Sequence, residues 1–422
     1  MSTRDQAIRS AQALVDDGRF VSELAELVAR PTESQDPARA NEMQRYLSDL
    51  LMPRLVAAGF DSEIHPNRYG NPFLVARRIE DPHLPTILGY GHGDVTRGQE
   101  GAWHADGAPF VLRQDQDRLY GRGTADNKAQ HLINIQAQEC VIAARGKLGF
   151  NAAWLIEMGE ETGSPGLEAF CQENQDLLGA QVLIASDGPR LSPDVPLVFL
   201  GARGAINFTL SVELRKGAHH SGNWGGLLTD PSVILAHALS TITNARGQIQ
   251  VPEWHPTSLT PDIRALIAKL PLPVGPAIDR DWGDAALTPQ ERVYGWNAFA
   301  VLAMESGVPA APVNAISGHA KATCQLRFVT GTDVDDILPA LRRHLVRAGF
   351  PQVRIDRSDN GFFPATRSDP DNPWVARVIT SLRKTLGSDP HIAPNLGGSL
   401  PNHVFIDTLG LPTVWVPHSY GG

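Results

Sequence analysis

Cysteine is scarce in this sequence: Cys140, Cys171 and Cys324 are the whole complement, odd in number, far apart and without a C-x-x-C pair. Neither a disulfide framework nor a cysteine zinc site fits that pattern, and a reducing, cytoplasmic setting is expected. Long apolar runs are missing too. No stretch approaches the roughly 18 consecutive apolar residues of a membrane span, and the opening M-S-T-R-D-Q-A-I-R-S has no apolar signal core. Positive charge is in deficit, with 37 Lys and Arg against 46 Asp and Glu, a net of −9, and no basic cluster. That balance argues against nucleic acid or an anionic membrane as partner and points to a small substrate. Repeats and low-complexity tracts are absent as well. What remains is a chain of globular composition, 42% hydrophobic and 20% charged, whose 422 residues exceed what one core usually holds.

Read in order, the chain predicts alternating helices and strands. Ile8, Leu14, Phe20, Leu24, Leu27 and Val28 fall at near-helical spacings up to Pro31, and a second helix is expected from about Ala38 to Ala58. Strands follow at Phe73–Ala76 and Thr86–Tyr90, the latter running into Gly91-His92-Gly93-Asp94. A glycine-rich loop, Arg118–Lys128, then opens a helix over His131–Arg145 and presents Asp126. The apolar run from Phe150 ends in Glu160-Glu161, and Val182–Ala185 ends in Ser186-Asp187-Gly188. This alternation predicts an α/β fold with a mostly parallel sheet flanked by helices.

From residue 203 the texture changes. Phe208, Leu210, Val212 and Leu214 alternate with polar residues, the period of a strand with one wet face. A helix over Pro231–Ile242 capped by Asp230, a strand at Gln248–Val251, an insertion over Pro252–Pro309, a strand at Thr323–Val329, a helix after Asp333 and a strand at Val353–Ile355 complete an α+β unit. Residues 203–362 are therefore expected as a domain inserted into a first one made of 1–202 and 363–422, which closes with a helix (Trp374–Leu386) and a strand (Thr413–Val416).

Open α/β sheets place reactive groups beyond the carboxyl ends of their strands. His92, Asp126, Glu160, Glu161 and Asp187 all fall at such ends or in a glycine turn. Singly, each has an ordinary reading: a hydrogen-bonded core histidine, a helix cap, a solvated acid pair, a turn residue. Jointly they supply nitrogen and oxygen donors and a candidate bridging carboxylate, which is what a hydrolytic two-metal site requires.

The ordered motifs G-H-G-D (91–94), G-R-G-T-A-D-N-K (121–128), E-E-T-G-S (160–164) and S-D-G (186–188) resemble the co-catalytic zinc metallopeptidases that include carnosinase, glutamate carboxypeptidase, aminoacylase and succinyl-diaminopimelate desuccinylase. H-H-S-G-N-W-G-G (219–226), P-V-N-A-I (312–316) and G-G-S-L-P (397–401) lean towards the carnosinase-like dipeptidase branch. The resemblance implies two Zn2+ ions, with Mn2+ or Co2+ as alternatives. His92 and Asp187 would each bind one ion, Asp126 would bridge both and Glu161 would bind beside one of them. Glu160 would be the general base towards a metal-bridging water, with Asp94 orienting the His92 imidazole. It further implies a cis Asp126–Asn127 peptide, a lid and dimerisation role for the inserted domain, His220 as oxyanion stabiliser reaching from a partner subunit, and Arg327 and Ser399 as holders of a substrate carboxylate.

One family element is missing from the sequence. The last metal ligand is normally a histidine in an H-x-x-N-E stretch followed by a closing helix, whereas this sequence stops at W-V-P-H-S-Y-G-G. A tail beyond the given sequence is the expectation, with substitution by His418 or an incomplete second site as alternatives. The activity expected is hydrolysis of small amides by a homodimer, as a dipeptidase or exopeptidase. Deacylation of N-acyl amino acids is the second reading, and a non-catalytic homologue that binds small molecules is the third.

Overall fold

A computed structural model describes residues 2–103, 107–272, 278–358 and 362–420. Part of the 252–309 insertion and the two glycines that end W-V-P-H-S-Y-G-G lie outside these residues. The chain divides into two compact units, one made of Met1–Gly201, Ser368–Ile392 and Pro401–Gly422, the other of Ala202–Arg367 and Ala393–Leu400. No helix among the described residues is long and apolar enough to cross a membrane.

The first unit is built on an eight-stranded sheet in the order Asp61–His65, Phe73–Arg78, Asn151–Glu157, Thr86–His92, Val182–Ala185, Thr413–Trp415, Leu197–Phe199, His391–Ala393. The middle is parallel: Asn151–Glu157 with Thr86–His92, that strand with Val182–Ala185, and the latter with Thr413–Trp415. Antiparallel pairs flank it on both sides, so the sheet is mixed with a parallel centre. Asn151–Glu157 is buried at every position, which is why it reads as a continuous apolar run and not as an alternation. Leu24, Val28, Tyr46, Leu74, Trp154 and Ile156 share one apolar core. Val182, Val198, Leu200, Val375 and Val414 make another.

Two local differences from the sequence reading have physical causes. The N-terminal helical stretch is two helices, Thr3–Asp16 and Arg19–Val28, because Gly18 adopts a positive φ of 79° between them. The first helix starts in a capping box formed by Ser2 and Asp5. Short strands at Asp61–His65, Leu197–Phe199 and His391–Ala393 were not legible, since three to five residues carry too little periodicity.

The second unit holds a four-stranded antiparallel sheet ordered Ala298–Ser306, Ala315–Phe328, Gly204–His220, Arg354–Arg357. Alternate residues of its central strands (Phe208, Leu210, Val212; Ala322, Cys324, Leu326, Phe328) pack with Leu235, Trp254, Leu341 and Leu345 into one core. The helices Pro231–Ile242, capped by the Asp230 side chain, and Ile337–Arg347 cover that face. The expected strand at Gln248–Val251 is not one: a single bridge joins Thr243 to Ile249 across a tight loop, while Ile249 and Val251 are drawn into the core. The strand Ala298–Ser306, within what the sequence left as an undivided insertion, forms an edge of this sheet.

Candidate metal centre

The parallel centre of the first sheet aims its strand ends at one rim. Register places His92 opposite Glu157, three residues before Glu160, while the neighbouring strand ends at Ala185 and continues into Ser186 and Asp187. At that rim His92, Asp126 and Asp187 form a group whose candidate ligand atoms all lie within 4.8 Å of one another. His92 is fully buried, Asp187 is 3% exposed and Asp126 is exposed. His92 Nε2 lies 2.9 Å from Asp126 Oδ1 and 3.7 Å from Asp187 Oδ2. The Asp126–Asn127 peptide is cis, as expected.

Asp94, also fully buried, organises the rest. His92 Nδ1 lies 3.0 Å from the Asp94 main-chain oxygen and 3.3 Å from its Oδ1, two acceptors that put a proton on Nδ1 and leave Nε2 for a ligand. The same carboxylate accepts the backbone N–H groups of Glu160 at 3.2 Å and Glu161 at 3.1 Å. One side chain therefore fixes both the imidazole and the turn that carries the acid pair. Glu161 is half-buried and stands outside the three-residue group, with its carboxyl in the fields of Asp126 and His92.

The charges at this rim are crowded. Burial, reinforced by Asp126, pushes the Asp187 carboxyl up to about 6 and Glu161 up to about 7. Burial and the Asp94 charge push Glu157 up to about 7; Tyr90 and Ser164 donate hydrogen bonds to it. Glu160 is lifted well above the carboxylate range by burial; the His92 charge opposes the rise, and the charges of Asp187, Glu157 and Asp94 add to it. For Asp126, burial pushes upward but the hydrogen bond and charge of His92 win, and its carboxyl is lowered. Burial works against protonation of His92, yet Asp126, Asp94 and Asp187 raise it well above its ordinary value. So many acids around one imidazole call for a cation. Asp187 Oδ2 is buried with no hydrogen-bond partner among the described residues, a cost that a metal ion would remove. The donor set of one imidazole and several carboxylates fits a divalent ion such as zinc.

Other residues at this rim, apart from Asn127 in the cis peptide, were not singled out from the sequence. Asn127, Gln130, His131 and Asn134 line the inner face of the helix Lys128–Arg145 and its N-cap. Their signal was available, as polar residues at i, i+3, i+4 and i+7 where a buried helix face would be apolar. His418 sits beside them: its Nε2 is 2.9 Å from Asn134 Oδ1, its backbone N–H donates to Gln130 Oε1, and it stands outside the His92, Asp126, Asp187 group.

The remaining predicted residues lie in the second unit. His220 is exposed and caps a short helical turn, its Nδ1 accepting the Gly222 N–H at 3.1 Å. That bond leaves the proton on Nε2, a free donor. Arg327 and Ser399 are brought together, Arg327 Nη1 donating to Ser399 Oγ at 2.7 Å. Ser399 in turn donates to the Arg203 carbonyl at 2.7 Å, and Arg203 Nη2 donates to the carbonyls of Trp296 at 3.2 Å and Arg327 at 3.4 Å. Burial, with the charge of Arg327, lowers Arg203 to about 10, and its Nε has no hydrogen-bond partner among the described residues. Neither guanidinium has an acidic partner among the described residues.

The model of peptidase family M20/M25/M40 matches residues 88–421. Among similar proteins, the Beta-Ala-His dipeptidase of Rattus norvegicus is 35% identical over 184 residues, 43% of this chain and 37% of that protein. The Homo sapiens protein of the same name is 32% identical over 248 residues, 55% and 48% respectively. The chain thus spans half or less of the length of these relatives. Cysteinylglycine-S-conjugate dipeptidase of Corynebacterium striatum is 23% identical over 397 residues, 91% of this chain and 84% of that protein. In fold, the chain is similar to an M20 family metallo-carboxypeptidase from Sulfolobus solfataricus, with a TM-score of 0.78, 24% identity and coverage of 94% and 90%. It is also similar to human carnosine dipeptidase 1, with a TM-score of 0.74, 21% identity and coverage of 99% and 94%.

Proposed function

The chain belongs to peptidase family M20/M25/M40, and from that membership we propose that it is a dizinc hydrolase of amide bonds in small peptides, first of all a dipeptidase. The observation that carries this reading is the group of His92, Asp126 and Asp187 at one rim, with the orphaned Asp187 Oδ2 and the half-buried Glu160 beside it. His92, Asp126, Asp187 and Glu161 would hold the ions, and bound ions would supply Lewis acidity at the scissile carbonyl. Glu160 is the proton carrier: its raised affinity for protons suits a group that takes a proton from water and returns it to the leaving amine. Asp94 keeps the His92 tautomer and the Glu160 turn in place.

Arg327 and Ser399 are proposed to hold the substrate's free carboxylate. Two neighbouring guanidiniums without an acid favour an anionic ligand, and Arg is suited to bidentate carboxylate contact. His220, with its outward Nε2–H, is proposed as oxyanion donor, acting across a homodimer. The dimer is proposed to form through the inserted domain, residues 203–362, with 1–202 and 363–422 as the catalytic domain. Its support is the edge strand Ala298–Ser306, where Val301, Leu302 and Met304 are 43%, 54% and 48% exposed and whose outer side pairs with no strand among the described residues. Three free cysteines support a reducing, cytoplasmic setting.

The deciding experiment is turnover of a panel of dipeptides and N-acetyl amino acids by zinc-loaded protein, with metal content measured on the same samples. Cleavage of dipeptides, abolished in Glu160→Gln while zinc content stays at the parental level, is the expected result. Cleavage of acetyl amino acids alone would move the assignment to a deacylase. Zinc binding without any turnover would leave only a binding protein.

A further inference from the structure

The helix Lys128–Arg145 and its N-cap carry polar side chains where a core-facing helix carries apolar ones. Asn127, Gln130, His131 and Asn134 lie on one helical face, and the first three have no exposed surface. Burying three polar side chains fully and a fourth in part is costly unless each is bonded, so their bonds indicate what they serve. Asn127 Oδ1 receives the backbone N–H of His92 at 3.4 Å, and Asn127 Nδ2 donates to the Ser186 carbonyl at 2.9 Å. One carboxamide thereby spans the ends of the two strands that carry His92 and Asp187, and it directly follows Asp126 in the chain. Gln130 Nε2 donates to the carbonyls of Ala125 at 2.8 Å and Gly188 at 3.2 Å, gripping Asp126 and Asp187 from their other sides. Asn134 Nδ2 donates to Ser186 Oγ at 2.8 Å.

His131 locks this arrangement. Its Nδ1 lies 3.1 Å from Asn127 Oδ1, which can only accept, so Nδ1 carries the proton and Nε2 takes the Tyr46 hydroxyl at 2.8 Å. The strand makes room for the pair. A Cβ on Gly91 would come within 2.6 Å of His131 Cβ and 3.1 Å of Asn127 Oδ1. The glycine before His92 is thus a packing requirement of this stripe.

We propose that Asn127, Gln130, His131 and Asn134 form a bar that sets the spacing of His92, Asp126 and Asp187. His131 hydrogen-bonds to none of the three and acts through Asn127, as a positioning residue. The inference rests on the metal-centre reading above and concerns affinity for the ion, not turnover.

The test is zinc affinity of the metal-free full chain, measured by competition with a chromophoric chelator, together with thermal denaturation of the metal-free form. His131→Leu is expected to weaken zinc binding about 10- to 100-fold, the range seen when support of a metal ligand is removed. His131→Asn, which keeps a side-chain N–H near the Nδ1 position, is expected to restore most of that loss. Leu132→Ala, next in the chain and fully buried in the apolar core, should lower the thermal midpoint and leave zinc affinity unchanged. Parental affinity in His131→Leu, no rescue by His131→Asn, or an equal loss in Leu132→Ala would reduce the stripe to ordinary helix packing and overturn the inference. If His131→Leu does not fold, the half-buried Asn134→Ala takes its place with the same contrast. The two readings fail separately: parental zinc affinity in the variants sinks this inference whatever the turnover, and zinc-loaded parent that cleaves nothing sinks the hydrolase alone.

Discussion

Asp94 carries more of this centre than its position beside the ligands suggests. Its buried carboxylate faces His92 Nδ1 and takes the N–H groups of Glu160 and Glu161 on separate oxygens. Asp94→Asn keeps the shape but replaces one acceptor oxygen with an NH2 group, which would point a donor at a donor. A buried backbone N–H left without its acceptor costs about 1–3 kcal/mol, and support for the imidazole is lost as well. The expected outcome is a zinc affinity lowered about 10- to 100-fold together with a lower thermal midpoint of the metal-free protein. Calorimetric titration and a denaturation scan on Asp94→Asn check both, and a parental zinc affinity would remove Asp94 from the centre. The contrast with Glu160→Gln is informative, since that change should leave zinc bound and touch only turnover.

Among the elements, those that position the centre were legible because their sequence pattern is long and punctuated. Asn151–Glu157 reads as buried apolar residues before a glycine and two acids; Val182–Ala185 reads as an apolar run before Ser-Asp-Gly, and both form as expected. The helix Pro231–Ile242 begins at the Asp230 cap that announced it. The role of the polar face of the helix Lys128–Arg145 is not legible in the sequence, because helix-forming composition says nothing about which face is buried and its meaning depends on strands distant in sequence. The edge strand Ala298–Ser306 was hidden for a related reason: only a strand without alternating burial could expose Val301, Leu302 and Met304 together, and a shift in register after Val301 breaks its period. That edge yields a prediction. An edge strand with exposed apolar side chains is open to pairing along its outer side with a second copy, so Leu302→Asp should convert a dimer to a monomer in sedimentation or light scattering at unchanged thermal stability. A parent that is itself monomeric at micromolar concentration would end the dimer proposal.

For the molecule as a whole, the acidic rim couples stability, metal and pH. Asp187, Glu157 and Glu161 hold their protons up to about 6, 7 and 7, against ordinary values of 3.8, 4.5 and 4.5. Between roughly pH 4 and 7 these carboxyls therefore bind more protons in the metal-free folded chain than in the unfolded chain, and their contribution to stability falls as pH rises through that window; His131 and His418, lowered by burial to about 3 and about 4, oppose it. His92 works in the same direction as the carboxyls: raised in the folded state, it contributes stability that is complete below its ordinary 6.5 and is lost as pH rises through its folded value. Asp126, lowered in the folded state, has its effect below 3.8, outside the window. A divalent ion replaces those protons, so its binding releases them and its affinity climbs with pH. Since a ligand of the folded state stabilises by RT ln(1 + [L]/Kd), the gain from added zinc must grow with pH. The metal-free protein should melt lower at about pH 7.5 than at about pH 5.5, and saturating zinc should raise the midpoint more at the higher pH, with protons released on titration in buffers of differing ionisation enthalpy. A metal-free chain that is more stable at the higher pH, or a zinc increment indifferent to pH, would place the ion away from His92, Asp126 and Asp187.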